Sequence, residues 1–220
     1  MAAGGGNLTG CVGLCQDLGM GSVIERAASG RAKCRACGQG IAKGEERFGE
    51  ALPNAYGEGE SLFWFHLRCA ACCRPEALLA VLEQGQAAPI ESELLFALAR
   101  GGVAQPRLSR ILRVERASSG RARCRHCREL IEQGAWRLAL QMFEEGRFNS
   151  IGTIHASCAV HYFDAEPSLE RLTLPSNQLG PEELAQAVAV MRDGATRPIQ
   201  PGLAKTTSEE SEPEETRKSS

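Results

Sequence analysis

A pattern of four cysteine and histidine residues occurs twice in this chain, and it limits the possible folds more than any other sequence feature. Each copy has two cysteines separated by two residues, then a spacer, then a histidine and a cysteine separated by two residues. The spacers hold 28 and 27 residues. The eight residues are Cys34, Cys37, His66 and Cys69 in the first copy and Cys124, Cys127, His155 and Cys158 in the second.

The two copies belong to a longer internal repeat. Residues 23–37 (VIERAASGRAKCRAC) return as residues 113–127 (RVERASSGRARCRHC), and each copy is followed by a helical pattern, at residues 91–100 and 182–191. Each repeat is therefore about 85–90 residues long. Because solenoids generally need three or more repeats, two repeats indicate tandem modules.

The four ligand types in each copy predict a zinc site. Zinc favours a tetrahedron of thiolate and imidazole ligands, and a Cys3His set with no open position is typical of a structural ion. A single pair of cysteines could equally be buried thiols. Two complete four-residue sets at matched spacing argue against that alternative. Modules of this size have marginal cores, so metal binding and folding are expected to be coupled. The sequence predicts two structural zinc ions, one per module.

The apolar patterns predict an α+β fold, in which each small zinc-stabilised module has a short antiparallel sheet with helices. Residues 136–142 alternate like a half-buried strand, residues 46–49 are the weaker counterpart in the first repeat, and residues 62–65 form another strand. Pro75 is well placed to begin a helix. The predicted organisation is a disordered N-terminus (1–20), a first module (21–104), a second module (105–194) and a disordered acidic tail (195–220).

The motif resembles the PARP-type zinc finger, which is found in poly(ADP-ribose) polymerase and in a DNA ligase and recognises DNA strand breaks. The resemblance covers about residues 22–85 and 113–165. It rests on residues 25–32 (ERAASGRA), 64–66 (WFH) and 43–44 (KG) in the first repeat, and on residues 114–122 (VERASSGRA) and 131–134 (IEQG) in the second. The second repeat lacks a tryptophan before its histidine.

The resemblance implies two kinds of DNA contact. Phosphate-binding arginines of the family fall on Arg31, Arg47, Arg121 and Arg137. The apolar side chains that stack on the exposed base pair at a break fall on small or charged residues here, but suitable side chains stand one position away. These neighbours are Tyr56, Leu62, Phe148 and Ile151.

The charge distribution supports a polyanion partner without proving one. The whole chain has a formal net charge of -2. The segment from Arg107 to Arg147 nevertheless has ten arginines against five glutamates, and residues 22–47 have six basic side chains against three acidic ones. We therefore expect a non-enzymatic DNA-binding protein, with strand breaks or ends as the DNA target and a repair or signalling protein as a further partner. The alternative is a protein-interaction adaptor that keeps the zinc scaffold without binding DNA.

Two further expectations concern activity and location. Once the zinc ligands are removed, no nucleophilic set remains, so catalysis is not expected. There is no apolar run of 18 residues and no secretory signal pattern at the start, which predicts an intracellular protein without a membrane partner. The resembled family suggests the nucleus in a eukaryote, and the cytoplasm or nucleoid would apply in a bacterium.

Overall fold

The computed structural model describes residues 21–54, 57–85, 88–144, 146–174 and 179–196. It contains two three-stranded antiparallel sheets, each followed by helices, which confirms the predicted α+β class with two small modules. We refer to residues 21–104 as the first half and residues 105–196 as the second half.

The first half has a meander of three strands followed by three helices. Its elements are β1 (Val23–Arg26), β2 (Glu46–Pro53), β3 (Glu60–His66), α1 (Leu67–Cys73), α2 (Pro75–Glu83) and α3 (Ser92–Ala104). The helix predicted at Pro75 begins there, since proline lacks the N–H that a first-turn residue leaves unpaired. The two predicted strands of this half are both present and are longer than the sequence patterns indicated.

The second half repeats the meander, but its helices are shorter until the last one. Its elements are the 3₁₀-helix η1 (Pro106–Arg110), β4 (Ile111–Arg116), β5 (Trp136–Glu144), β6 (Arg147–His155), the 3₁₀-helix η2 (Ala156–Cys158), α4 (Ala159–Phe163), α5 (Leu169–Leu172) and α6 (Pro181–Ala195). Trp136 begins the predicted strand, but β5 is not half-buried as predicted: Leu138, Ala139, Leu140 and Gln141 are all buried, so both faces are covered there. The two repeats therefore share the sheet and the zinc motif and differ in their helices.

Each sheet covers a hydrophobic core. In the first half, Phe48 on β2 lies opposite Phe65 on β3, both fully buried, and the helices add Leu78 and Leu95. The second half has Leu138 opposite Ile154 at the equivalent position, packed with Phe163, Leu172 and Met191. The strand register therefore places the same apolar face inward in both repeats.

The two halves pack against each other through the β5–β6 hairpin and the α5 region. Phe143 and Phe148 on this hairpin lie 6.4 Å from the ring of Phe65 in the first half. Leu174, which follows α5, is buried in the core of the first half. The β5 and β6 strands have nine residues each, compared with eight and seven in β2 and β3. Among the described residues, no helix is long and apolar enough to cross a membrane.

Candidate metal centres and basic surfaces

The eight predicted ligands form two groups of four. In each group, two cysteines lie in the turn that follows the first strand of the sheet, the histidine ends the third strand, and the last cysteine lies in the first helical turn after it. All the possible ligand atoms of one group lie within 4.8 Å of one another. The groups are Cys34, Cys37, His66 and Cys69, and Cys124, Cys127, His155 and Cys158.

The distances within each group fit a tetrahedral zinc ion. A tetrahedron with metal–sulfur and metal–nitrogen distances of about 2.3 and 2.0 Å has sulfur–nitrogen edges of about 3.5 Å. The Nδ1 atom of His66 lies 3.3 Å from Cys37 Sγ and 3.8 Å from Cys69 Sγ. In the second group, Nδ1 of His155 is 3.3 Å from Cys127 Sγ and 3.9 Å from Cys158 Sγ. Both clusters are therefore consistent with structural zinc ions.

Hydrogen bonds orient both histidine rings toward the ligand cluster. The Nε2–H of His66 donates to the carbonyl oxygen of Gly40 at 3.2 Å, and that of His155 donates to the carbonyl of Leu130 at 3.1 Å. A carbonyl can only accept, so Nε2 carries a proton, and Nδ1 is the ring nitrogen that faces the sulfur atoms. Such outer contacts fix the tautomer of a metal-binding histidine.

One buried cysteine of each cluster is stabilised as a thiolate. Cys34 and Cys124 are 1% and 0% exposed, and each sulfur accepts the backbone N–H of the cluster histidine, at 3.4 and 3.3 Å. Hydrogen bonds from Cys37 and Cys69 hold the pKa of Cys34 far below its ordinary value. A hydrogen bond from Cys158 lowers the pKa of Cys124 to about 4. The thiolate is the form that binds zinc, so these contacts favour the ligating form of Cys34 and Cys124.

The remaining described cysteines are not ligands. Cys72 and Cys73 on α1 are buried, and the Cys73 thiol donates to the carbonyl of Cys69 at 2.8 Å. Burial raises the pKa of Cys72 to about 11 and that of Cys73 well above its ordinary value. These thiols stay protonated and pack as small apolar residues.

The turn after each cysteine pair needs a left-handed residue. Gly38 has φ of 74° and donates its N–H to the carbonyl of Cys34 at 2.9 Å. Arg128 has φ of 69° at the equivalent position and makes the same bond to Cys124. Glycine adopts this conformation freely, whereas a side chain makes it unfavourable.

This difference gives a matched pair of variants. Arg128→Gly is expected to raise the free energy of unfolding of the zinc-loaded protein by about 1 kcal/mol, and Gly38→Arg to lower it by a similar amount. Chemical denaturation with intact zinc measures both. Changes of the same sign in the two variants would contradict the assigned backbone strain.

Two of the predicted phosphate-binding arginines are already paired within the chain. Arg47 donates to the carboxylate of Glu25 at 2.6 Å, and its guanidinium lies 3.5 Å from the ring centroid of Trp64. Arg137 makes the equivalent 2.6 Å contact with Glu115. Each arginine lies directly opposite its glutamate in the strand register. Both arginines are therefore held by cross-strand glutamates, and Glu115 is shared with Arg113.

The other two predicted arginines belong to exposed basic rows beside the clusters. Arg31 and Arg121 each begin a segment in which exposed basic residues alternate with half-buried alanine and the buried ligand cysteine. We name these segments the first basic ridge (Arg31, Lys33, Arg35) and the second basic ridge (Arg121, Arg123, Arg125). Among the described residues, none of these six side chains has a carboxylate oxygen within 4.0 Å.

Local contacts hold several ridge side chains in place. Arg35 lies 4.6 Å from the ring centroid of Phe63. Arg123 and Arg125 donate to the backbone carbonyls of Arg128 and Ile151. The family resemblance pointed only to the first residue of each ridge. The alternation of basic residues on both sides of the ligand cysteine was the signal that could have added the other two.

The predicted stacking residues occupy different environments. The ring of Phe148 packs 4.8 Å from Phe143, so it contributes to the contact between the two halves. Ile151 packs against the second core. Leu62 is half-buried on β3 and belongs to neither core among the described residues. Tyr56 lies outside the residues that the structure describes.

The fold and the two clusters define a chain with two tandem Cys-Cys-His-Cys zinc-binding modules, in a zinc-finger arrangement. Comparison of the sequence with protein-family models gives no match, and comparison with curated proteins gives none either.

Proposed function

We propose that this chain is a DNA-binding protein whose two zinc-built modules, similar to PARP-type fingers, contact the DNA backbone through the two basic ridges. The observation that supports the proposal is the repetition of the ridges. Each module has three exposed cations in alternating positions next to its zinc ligands, without carboxylate partners among the described residues. Exposed cations of this kind can exchange water and counterions for phosphate oxygens.

Guanidinium groups suit a phosphate backbone because they donate two parallel hydrogen bonds to one anion. Five of the six ridge residues are arginines. Zinc would fix the turn that displays them, since the buried ligand cysteine lies between the second and third cation of each ridge. DNA binding should therefore depend on zinc and weaken steeply with salt.

Recognition of strand breaks is the more specific part of the proposal. The observation that supports it is the environment of Leu62 in the first half. Leu62 is the one described stacking candidate that packs in neither core. Phe148 and Ile151 are engaged in packing, so the second half would contribute backbone contacts and hold the first half in place. Stacking an apolar side chain on an exposed base pair adds affinity only where the duplex is interrupted.

We propose a DNA-binding protein without catalytic activity of its own. Each cluster supplies four protein ligands, and a zinc ion held by four ligands leaves no position for an activated water. Any reaction at the DNA would be carried out by a partner.

To test DNA binding, all three cations of one ridge are replaced by alanine together. We expect Arg31→Ala/Lys33→Ala/Arg35→Ala, and separately Arg121→Ala/Arg123→Ala/Arg125→Ala, to weaken binding on the order of tenfold or more. Each should lower the slope of log affinity against log salt by about one for every phosphate contact that is lost. Fluorescence anisotropy with a duplex over a salt series measures both quantities.

The matched control removes three exposed arginines that lie outside the ridges and have carboxylate partners, namely Arg26, Arg113 and Arg192. It changes the net charge of the chain by the same amount. If the control weakens binding as much as a ridge variant, the ridges are not the DNA surface. Unchanged affinity in both ridge variants, with full zinc content, would contradict DNA binding through them.

A protein-interaction adaptor remains the second candidate, and one observation favours it. Leu169 is 54% exposed and lines an open groove with Leu184 and Val188, between α5 and α6. Exposed apolar grooves are typical of protein contacts. Absence of DNA binding at low salt, together with zinc-dependent binding to a repair or signalling protein, would favour this alternative.

A further inference from the structure

Arg171 is a buried cation that the proposed function does not use. It lies on α5 in the second half and is only 3% exposed. Its guanidinium donates to two backbone carbonyls of the first half, that of Cys72 at 2.9 Å and that of Leu98. Among the described residues it has no carboxylate within 4.0 Å. The carbonyl dipoles of the other half therefore replace its hydration shell.

The two acceptors belong to the helices around the first zinc cluster. Cys72 is in α1, three residues after the ligand Cys69, and Leu98 is in α3, which packs against α1. Cys72 lies in the last turn of α1, where carbonyls lack partners within the helix and a cation is favourable, whereas Leu98 lies in the middle of α3. Arg171 thus joins the helix that carries a zinc ligand to the helix that packs on it.

Gly102 on α3 makes room for this contact. A Cβ atom at this position would lie 3.0 Å from Nη2 of Arg171 and 2.8 Å from the Cβ atom of Pro75. A side chain would have to displace either the guanidinium or the start of α2. The absence of a side chain at Gly102 in the first half therefore leaves the space that the Arg171 guanidinium of the second half occupies.

The α5 region is anchored in both cores. Leu172, next to Arg171, is 1% exposed and packs in the second core, whereas Leu174 is buried in the first core. The second core also contains the ligand Cys124. The position of Arg171 therefore depends on a core that is built around the second zinc cluster.

We propose that Arg171 couples the two zinc sites, so that the first site retains its metal tightly only while the second half is folded around its own metal. Loss of the second metal loosens the second core, releases α5 and withdraws Arg171 from α1. The α1 helix can then open locally and expose Cys69. The two fingers are therefore not independent. The proposal does not depend on DNA binding.

The test follows the metal of each site separately. The full-length protein is loaded with 113Cd, which occupies thiolate–imidazole sites and gives one NMR resonance per site. Cys37→Ser and Cys127→Ser assign the two resonances, since each variant lacks one ligand of one site. The loss of each resonance is then timed after excess EDTA is added.

Arg171→Met should release the first-site metal on the order of tenfold faster, because two buried carbonyls lose a charged donor. Arg171→Lys should give a smaller increase, since an ammonium group lacks the planar fork of the guanidinium. In Cys127→Ser, whose second site is impaired, the first-site resonance should also disappear faster than in the wild type. Arg192→Met, an exposed arginine of the same half, is the matched control and should leave both rates within about twofold.

An unchanged first-site rate in both Arg171→Met and Cys127→Ser would overturn the proposal. Equal acceleration of both sites in Arg171→Met would overturn it too, because that result describes general destabilisation. If Arg171→Met does not fold, the Cys127→Ser and Arg171→Lys rates decide the question. DNA affinity is not a readout, so failure of the proposed function would leave this result intact.

Discussion

Cys34→Ser is expected to remove one zinc ion per chain and to unfold the first half. Cys34 is 1% exposed and its sulfur also accepts the backbone N–H of His66, so serine would replace a buried thiolate ligand with a neutral hydroxyl. Structural zinc contributes about 10–16 kcal/mol of apparent binding free energy in small fingers, which is as large as the whole unfolding free energy of a typical domain, about 5–15 kcal/mol. Metal analysis and hydrogen exchange of β1–β3 and α1 measure the loss.

Cys72→Ser is the matched control for this variant. Cys72 is also buried, at 3% exposure, but it is not a ligand. Serine at this position should cost about 1–3 kcal/mol and leave two zinc ions bound. Full zinc content and normal melting of Cys34→Ser would disprove the first metal site.

Arg74→Met is expected to lower the free energy of unfolding by about 3–5 kcal/mol. Glu50 on β2 is 3% exposed, and Arg74 between α1 and α2 donates to both of its carboxylate oxygens, one of them at 2.8 Å. The guanidinium also lies 4.2 Å from the ring centroid of Phe143 in the second half. Removal of the arginine leaves a buried carboxylate without a counter-charge. Urea denaturation of the zinc-loaded protein measures the change.

Arg68→Met gives the control for this ion pair. Arg68 makes the same bidentate ion pair with Glu91, but the two side chains are 47% and 45% exposed. Exposed pairs contribute about 0–1 kcal/mol, so this variant should be nearly neutral. Adding Glu50→Gln to Arg74→Met should restore part of the lost stability. Equal effects of Arg74→Met and Arg68→Met would contradict the buried role of Arg74.

The zinc clusters and the sheet could be predicted from the sequence because their signals are local. A cysteine pair separated by two residues brings two sulfur atoms to one side of an ion, whatever the rest of the chain does. Residues 136–142 alternate with the period of a strand, and β5 includes them all. Repetition of each signal in the second half strengthened both predictions.

Ion pairing and packing between the halves could not be predicted, because they depend on contacts far apart in the sequence. Arg47 and Glu25 meet only through the register of β1 and β2, so Arg47 could be matched to a family position without its partner being known. The sequence around Phe148 does not reveal that its ring packs against Phe65 in the first half. Arg171 contacts residues 73 and 99 positions away, and no local pattern indicates a buried cation there.

The most direct measurement of the proposed function is a titration of the zinc-loaded protein with nicked, blunt-ended and closed circular DNA over a salt series. Protein stripped of zinc by a chelator serves as the control. We predict zinc-dependent binding that weakens steeply with salt and is tightest for the nicked or blunt-ended DNA. Equal affinity for all three forms would reduce the function to general backbone binding. No binding at low salt, with both zinc ions present, would contradict DNA binding itself.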